Sequence, residues 1–453
     1  MIMEKIHSLI DENRDRYLEE LIEISSVPSV SSEPEDVRKC AEFLIGKMAQ
    51  KGIEAKMYET ITNPILFSEI KSKKNPNGVT ILFYGHYDVQ PAGEPELWDS
   101  DPFKPEIRDG RIYGRGVADN KGQFLTHLLA IETMLKETGD VPVNIKIVLD
   151  GEEELASKGL SDFVAKNKEM FKADLVYTSD GGSQRSDTPT ILFGNRGVMN
   201  FDLDLVTAKM DNHSGNKGGV TRNPAWEMAQ LLSKMIDDDG RVLIPHFYDS
   251  VVPMSERDIE IVDDLPFDPE KLAQDFGVED ILAKDKQEYY DKLMFQPTLT
   301  INGLRSGYLG DGCKNIIPKS ATAKMEVRIA WRQDPPTIYR LIEEFVKEHN
   351  PRVTMKLVED YMYPSRNIPD LPIYQPILDA VEKAWGKKPI ISPILGGSLP
   401  DFIWTNVMEQ PSILVPYANP DEANHAPNEN LILDLFYQGI HTSAEVLYAL
   451  GNL

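Results

Sequence analysis

Cysteine is scarce in this chain of 453 residues, in which only Cys40 and Cys313 occur. Two cysteines so far apart do not make a disulfide framework, and they are too few for a zinc site built on thiolates. The opening residues lack the basic-then-apolar order of a secretion signal and have the pattern of an amphipathic helix. Free thiols and a cytoplasmic location are therefore expected.

Long apolar runs and positive charge are also in short supply. No run approaches the roughly 18 residues that a membrane-spanning helix requires. The 48 Lys and Arg residues do not balance the 73 Asp and Glu residues, so the formal net charge is -25. Phosphate backbones and anionic lipid repel such a chain, which excludes nucleic acid and membranes as partners. Apolar residues make up 41% of the sequence, enough for two globular domains.

Strand and helix patterns alternate over the first part of the chain. Helical periodicity covers about 3–24, 36–51, 121–137 and 158–168. The strand-like stretches include GVTILFYGH (78–86), VNIKIVLD (143–150) and ADLVYTSD (173–180). This alternation predicts an α/β fold, with a mixed sheet covered by helices on both faces. In such sheets, ligands gather at the carboxyl ends of the strands.

The pattern changes near residue 197. VMNFDLDLVTA (198–208) alternates as a half-exposed strand does, and an acidic stretch and further strand and helix patterns follow it. We interpret residues 197–363 as an α+β domain inserted into the first domain. The first domain then consists of residues 1–196 and 364–453.

Polar residues with the types and spacings of a metal site follow the predicted strands or lie in glycine-rich turns. They are His86, Asp88, Asp119, Glu153, Glu154, Asp180 and His425. Two imidazoles with so many carboxylates suit two divalent cations, Zn²⁺ first, with Mn²⁺ and Co²⁺ as alternatives. The cations would offset the three adjacent glutamates of DGEEE (150–154), which otherwise repel one another.

Each motif alone has a simpler explanation. A His-x-Asp pair on a strand is more often a hydrogen-bonded or surface pair, and a glutamate triplet is more often a solvated face. Asp119, in GRGVADNKG, could cap the helix that follows. Their joint occurrence, in order and at strand ends, favours a catalytic metal centre.

The motifs GHYDVQP, GRGVADNKG, DGEEE, SDGG, GGSLP and NHAPNE together resemble the M20 metallopeptidase family, over nearly the whole chain. The nearest branch is that of the carnosine-type cytosolic dipeptidases, to which the acidic insert and the segment 297–318 are also similar. The resemblance implies a catalytic domain in two parts, with an inserted lid or dimerisation domain. It further implies a homodimer that acts on small peptides.

The resemblance assigns the cation ligands. His86 and Asp180 would bind one cation, Glu154 and His425 would bind the other, and Asp119 would bridge the two. Zn²⁺ is the first expectation for both positions.

Other site residues follow from the same resemblance. Glu153 would be the general base and acid, acting on a water that bridges the metals. Asp88 would accept a hydrogen bond from His86 and orient it. The peptide bond between Asp119 and Asn120 would be cis.

Substrate contacts are implied as well. His213 would stabilise the oxyanion from the partner subunit. Arg328, with Ser398 and Gly397 of GGSLP, would bind the substrate's free carboxylate. Asn315 stands where the dipeptidase branch commonly has threonine, which puts the fine substrate preference in question.

The leading hypothesis is a two-metal hydrolase that cleaves dipeptides or short peptides with a free C-terminal carboxylate. An N-acyl amino acid amidohydrolase, such as a deacetylase or desuccinylase, is the alternative because it shares these ligands. A non-catalytic binding protein is a remote alternative, since every ligand and the base are present.

Overall fold

The computed structural model describes residues 2–453. The helices are α1 Ile2–Glu12, α2 Arg14–Ser25, α3 Pro34–Gln50, α4 Lys121–Thr138, α5 Lys158–Lys166, α6 Lys168–Phe171, α7 Ser214–Lys217, α8 Pro224–Leu232, α9 Glu256–Asp264, α10 Pro269–Phe276, α11 Lys286–Tyr290, α12 Pro335–His349, α13 Gln375–Trp385 and α14 Leu433–Leu450. Short 3₁₀ turns span Pro95–Leu97, Glu153–Leu155 and Pro372–Tyr374, and π turns span Asp291–Phe295 and Ile403–Val407.

The strands are β1 Ala55–Tyr58, β2 Ile65–Ile70, β3 Thr80–His86, β4 Glu106–Arg108, β5 Arg111–Tyr113, β6 Asn144–Asp150, β7 Leu175–Thr178, β8 Thr190–Leu192, β9 Gly194–Asn195, β10 Gly197–Val206, β11 Asn212–His213, β12 Thr298–Ser306, β13 Ile316–Ile317, β14 Ser320–Ile329, β15 Thr354–Leu357, β16 Ser365–Arg366, β17 Ile390–Ser392, β18 Ser412–Leu414 and β19 Asn430–Ile432.

Eight strands form one large sheet in the order β1-β2-β6-β3-β7-β18-β8-β17. The central strands β6, β3, β7 and β18 are parallel, whereas β1 and β2 are antiparallel. Along β3, Ile81 and Phe83 pack into a core that α1–α4, α13 and α14 share, while Leu82 and Tyr84 pack with α5 and α6 on the other face. The predicted α/β fold, a mixed sheet covered on both faces, is confirmed.

The carboxyl ends of three parallel neighbours, β6, β3 and β7, lie side by side. Strand β3 ends at His86, β6 at Asp150 and β7 at Thr178. The segments that follow these strands therefore leave the sheet at one edge. That edge is where ligands bind in sheets of this kind.

A second, antiparallel sheet has the order β12-β14-β10-β15. Helices α8 and α12 cover one face, where Met228 and Phe345 share a core with Phe201 and Met325. Buried and half-buried residues alternate along β10, as predicted for a half-exposed strand. All four strands lie within residues 197–363, which supports the predicted domain division; its boundaries stay a prediction.

The acidic stretch after α8 contains helices α9, α10 and α11. Val262, Tyr290 and Phe295 from this stretch form a small core with Ile394, close to the edge strand β17. The acidic stretch therefore packs beside the edge strand β17 of the large sheet.

One local prediction was wrong in detail. The helix predicted over about 3–24 divides at Asn13, whose Nδ2 donates to the Leu9 carbonyl at 2.7 Å; a side chain that bonds the preceding turn competes with helix continuation. The strand predicted over 143–150 ends at Asp150 as β6 does, and a 3₁₀ turn that contains Glu153 and Glu154 follows it. Across residues 2–453, no helix combines the length and apolar character that crossing a membrane requires.

Candidate metal centre

The metal-type side chains meet at the carboxyl edge of the large sheet. His86 is the last residue of β3, Asp119 lies just before α4, Glu154 is in the turn after β6, Asp180 follows β7, and His425 lies in the loop before β19. The fold thus brings together residues from five separate segments of the chain. The peptide bond between Asp119 and Asn120 is cis, which confirms that prediction.

Two groups of side chains have ligand atoms within 4.8 Å of one another. In the first, His86 Nε2 lies 3.0 Å from Asp119 Oδ1 and 3.5 Å from Asp180 Oδ2. In the second, His425 Nε2 lies 3.2 Å from Asp119 Oδ2 and 3.1 Å from Glu154 Oε2. Asp119 presents one carboxylate oxygen to each group, as a bridging ligand does. The groups coincide with the two ligand sets implied by the resemblance.

Glu153 lies beside both groups. It forms a third close set with His86 and Glu154, and only 7% of its surface is exposed. A buried carboxylate at this position can exchange a proton with a molecule held between the two groups.

The Asp88 carboxylate holds the turn that carries the glutamates. Its Oδ1 accepts the N–H of Glu153, and its Oδ2 accepts the N–H of Glu154, both at 3.1 Å. The Ser31 hydroxyl donates to Oδ2 at 2.7 Å. His86 Nδ1 lies 3.1 Å from the Asp88 backbone carbonyl and 3.4 Å from its Oδ1, so the expected bond runs chiefly to the carbonyl. Asp88 contacts both the imidazole and the glutamate turn.

Burial raises the pKa of three carboxyl groups of the cluster, those of Glu153, Glu154 and Asp180. Burial raises the pKa of Glu153 well above its ordinary value, and neighbouring carboxylates add to the rise. Burial, helped by the Asp119 charge, raises the pKa of Glu154 to about 7. Burial also raises the pKa of Asp180. Clustered, buried carboxylates of this kind require positive charge to ionise together.

The two imidazoles supply part of that charge. Hydrogen bonds to Asp119 and Glu154 raise the pKa of His425 to about 11. Burial opposes the charging of His86, but its contacts with Asp119 and Asp180 outweigh burial and raise its pKa well above the ordinary value. Burial by itself would raise the pKa of Asp119, but the hydrogen bonds and charges of the two histidines outweigh burial and lower that pKa below the usual range.

A divalent cation fits this donor set. Asp180 Oδ2 is buried and has no hydrogen-bond partner among residues 2–453, and its 3.5 Å separation from His86 Nε2 is too long for a good hydrogen bond. Buried acceptors are normally satisfied, so an unpaired carboxylate oxygen in an imidazole–carboxylate cluster is the position of a metal ligand. Oxygen and nitrogen donors together suit Zn²⁺, Mn²⁺ or Co²⁺.

Arg328, on β14, reaches the loop of GGSLP. Its Nη1 donates to Ser398 Oγ at 2.9 Å, while Nε and Nη2 donate to the Glu326 carboxylate at 2.9 and 3.3 Å. A second arginine, Arg196, donates from Nε to the Gly396 carbonyl at 2.8 Å. Burial, helped by the charge of Arg328, lowers the pKa of Arg196 to about 10. The loop therefore lies between two guanidinium groups.

His213 and Asn315 lie in a different place from the cluster. His213 is exposed on β11, and its Nδ1 accepts the N–H of Gly215. Asn315 is also exposed, and its carbonyl accepts the N–H of Ser214. Within residues 2–453, no hydrogen bond or ion pair joins either side chain to the cluster. Gly397 follows Gly396 in the loop, where an added Cβ would meet only Leu395 at 3.7 Å.

Three supporting residues were not identified from the sequence. Asn120 Nδ2 donates to the Ser179 carbonyl at 2.7 Å, and Gln123 Nε2 donates to the carbonyls of Ala118 and Gly181. These bonds join the segments before Asp119 and around Asp180. The third residue, Glu429, accepts the backbone N–H of Asp119 at 3.0 Å. Asn120 lies in GRGVADNKG and Glu429 lies in NHAPNE, so their membership of these motifs was the only sequence feature that could have indicated a role.

The sheet edge, the two overlapping ligand groups and the buried glutamate define a metal-dependent hydrolase of the α/β class. The family model of "Peptidase family M20/M25/M40" matches residues 82–449, and the chain belongs to this family. It is therefore a metallopeptidase, a hydrolase that acts on peptide bonds.

Known relatives match over almost their full length. The chain is 28% identical to the Cys-Gly metallodipeptidase dug1 of Schizosaccharomyces pombe, covering 100% of this chain and 99% of that protein. It is 27% identical to the human Beta-Ala-His dipeptidase, covering 95% of this chain and 89% of that protein. The crystal structure of the M20 family metallo-carboxypeptidase Sso-CP2 from Sulfolobus solfataricus has a TM-score of 0.90 and 30% identity, covering 96% of this chain and 99% of that one.

Proposed function

We propose that the protein is a two-cation peptidase that hydrolyses dipeptides or short peptides with a free C-terminal carboxylate. The observation that carries the proposal is Asp119, whose two oxygens face the separate groups that contain His86 and His425. The relatives named for Cys-Gly and Beta-Ala-His dipeptides support a small peptide as the substrate.

The residues divide into those that would hold cations and one that would move a proton. His86 and Asp180 would hold one cation, Glu154 and His425 the other, with Asp119 shared. Bound divalent cations, Zn²⁺ first, would supply activation of water and polarisation of the substrate carbonyl.

Glu153 would be the general base and acid. Its buried carboxylate lies within 4.8 Å of ligand atoms of both His86 and Glu154, which supports contact with a molecule bound between the groups. It would take a proton from the attacking water and deliver it to the nitrogen of the leaving amine. Asp88 would keep Glu153 in place through the backbone N–H of that residue.

Recognition of the substrate carboxylate would fall to Arg328 and the loop of GGSLP. The guanidinium already contacts the Oγ of Ser398, which follows Gly397 in that loop. Its present partner is the Glu326 carboxylate, and a substrate carboxylate would compete for the same planar fork.

His213 would complete the site from the partner subunit of a homodimer. Its exposed position, without contact to the cluster of its own chain, agrees with a task in another subunit. The reaction would take place in the cytoplasm, where free thiols such as Cys40 and Cys313 stay reduced.

A substrate panel tests the proposal. Protein freed of metal by a chelator should be inactive, and Zn²⁺, Mn²⁺ or Co²⁺ should restore hydrolysis. Dipeptides such as Ala-X, Cys-Gly and β-Ala-His should be cleaved, whereas their C-terminal amides should react far more slowly because Arg328 loses its partner.

Other outcomes would identify other activities. Faster turnover of N-acetyl or N-succinyl amino acids would make the protein an N-acyl amino acid amidohydrolase. Equal cleavage of N-blocked and longer peptides would favour a carboxypeptidase, the activity for which Sso-CP2 is named. The absence of hydrolysis of any amide after metal is restored would favour a binding protein.

A further inference from the structure

The loop that leads to Asp119 is held by one distant carboxylate. Glu429 Oε1 accepts the N–H groups of Gly116, Ala118 and Asp119, each at 3.0 Å. Its Oε2 accepts from Arg115 Nη1 at 2.7 Å and again from Gly116 at 3.1 Å. Both charged side chains are buried, with exposures of 0% for Glu429 and 1% for Arg115. One side chain therefore accepts three of the five backbone N–H groups of residues 115–119, together with one nitrogen of the Arg115 guanidinium.

The same short segment carries a cation ligand. His425 lies four residues before Glu429, and β19 begins directly after it. Strand β19 pairs with β5, which precedes the loop, and the Gly114 N–H donates to the Glu429 carbonyl at 3.0 Å. Sheet pairing ends at Tyr113, so from Gly114 onward Glu429 takes over the connection between the two segments.

These contacts fix the backbone of Asp119, whose carboxylate must reach both groups of cation ligands. The Asp119 oxygens lie 3.0 Å from His86 and 3.2 Å from His425, so a shift of its backbone would move both distances at once. A hydrogen bond to the Asp119 N–H itself fixes that backbone. A merely structural ion pair between Glu429 and Arg115 would not need the three N–H donors.

We infer that Glu429 is a positioning residue, which fixes Asp119 relative to His425 so that one carboxylate reaches both cation groups. The inference rests on the proposed two-cation site. Residues that contact and orient a metal ligand without binding the metal typically contribute about 10–100-fold to metal affinity or activity.

Cation binding to the chelator-treated protein tests the inference without substrate. Glu429→Gln keeps one acceptor oxygen but turns an amide NH₂ toward the donors of Arg115, and Glu429→Asp keeps the charge but withdraws both oxygens by one methylene. Titration with Zn²⁺ against a chromophoric chelator should show affinity lowered by about 10–100-fold in both variants. The visible absorption spectrum of the Co²⁺-loaded protein should also change, because the ligand field at Asp119 changes.

Glu132→Gln is the matched control. Glu132 is a buried carboxylate, 2% exposed, which accepts from Arg16 Nη2 at 2.9 Å and contacts no residue of the cluster. It should lower the melting temperature without altering cation affinity or the Co²⁺ spectrum. Wild-type affinity and an unchanged spectrum in either folded Glu429 variant would overturn the inference. A wild-type protein that binds no pair of cations would instead overturn the proposed function.

Discussion

Glu152, Glu153 and Glu154 are consecutive, yet each faces different surroundings. Glu152 accepts from the Thr62 hydroxyl and the Gly159 N–H, away from the cluster. Glu153 lies beside His86, and Glu154 contacts His425 and accepts from Gln90 Nε2 at 3.0 Å. A 3₁₀ turn rotates the chain by a third of a turn per residue, which separates neighbouring side chains in this way. The three glutamates can therefore be tested separately.

Replacement of Glu153 by alanine should abolish turnover while leaving cation content near that of the wild type. The carboxylate would transfer protons, and neither of the two ligand groups around Asp119 needs it. A general base contributes about 10²–10⁴-fold, so kcat should fall at least by this factor. Metal analysis of the purified variant, together with kcat on an Ala-X dipeptide, measures both parts.

The neighbouring Glu152→Gln is the control for that experiment. Glu152 is also buried, with 2% exposure, and directly precedes the turn of Glu153. Its replacement leaves the cluster intact, so kcat should stay close to that of the wild type. Ordinary activity in Glu153→Ala would show that another group transfers the proton.

The ligands could be predicted from the sequence because each is a metal-binding residue type at a strand end, and parallel neighbours end at one edge. His86 follows a clear strand pattern, and Asp180 follows another. Glu429 could not be assigned in this way, because its task depends on backbone N–H groups more than 300 residues earlier. The direction of the bond from His86 also depends on a backbone carbonyl, which a sequence pattern does not show.

At the scale of elements, helix α4 carries a histidine through the core behind the metal edge. His127 stacks on Phe83 with ring centroids 4.4 Å apart and lies edge-on to Tyr177 at 5.5 Å. Its Nδ1 is 2.9 Å from Ser443 Oγ of α14, and its Nε2 has no hydrogen-bond partner within residues 2–453. Burial in this aromatic site lowers the pKa of His127 to about 3. The folded protein therefore holds this imidazole neutral.

Stability should consequently fall in acid. Because the pKa of His127 is lower in the folded protein than in the unfolded chain, the unfolded chain binds the proton first as pH falls. The contribution of the neutral His127 to the free energy of unfolding is therefore lost as pH falls from about 6.5 toward 3. The cost is up to about 1.4 kcal/mol per pH unit from this one group. His127→Gln cannot take up the proton, so the melting-temperature advantage of the wild type over the variant should shrink between pH 7 and pH 4.

Phe83→Leu provides the comparison for His127→Gln. It disturbs the same packing without removing a titrating group, so its difference from the wild type should stay constant over the same pH range. A constant difference for His127→Gln as well would mean that His127 is not held neutral in the fold.

At the scale of the whole molecule, the smaller sheet and its neighbours expose apolar side chains. Trp226 is 69% exposed, Met210 66%, Val220 81% and Leu304 56%. Contact with another protein would bury such exposed apolar side chains. The change of pattern near residue 197 indicated a separate unit, and β10 begins there. Packing of that unit against a second chain, as in the proposed homodimer, would involve surfaces far apart in sequence, which periodicity does not reveal.

A dimer that shares its sites predicts complementation between two inactive variants. His213→Ala alone should lower kcat by about 10²–10³-fold, the range for loss of an oxyanion donor. In a mixed dimer with Glu153→Ala, one site would contain both defects and the other neither, because a twofold interface exchanges the same residues in both directions. Each mixed dimer should then retain about half of wild-type activity, because one of its two sites is intact. Kinetics of co-expressed, doubly tagged dimers, with each single variant purified in parallel, measures the recovery. Activity no higher than that of the better single variant would place His213 outside the partner's site, and a monomer by sedimentation would exclude sharing altogether.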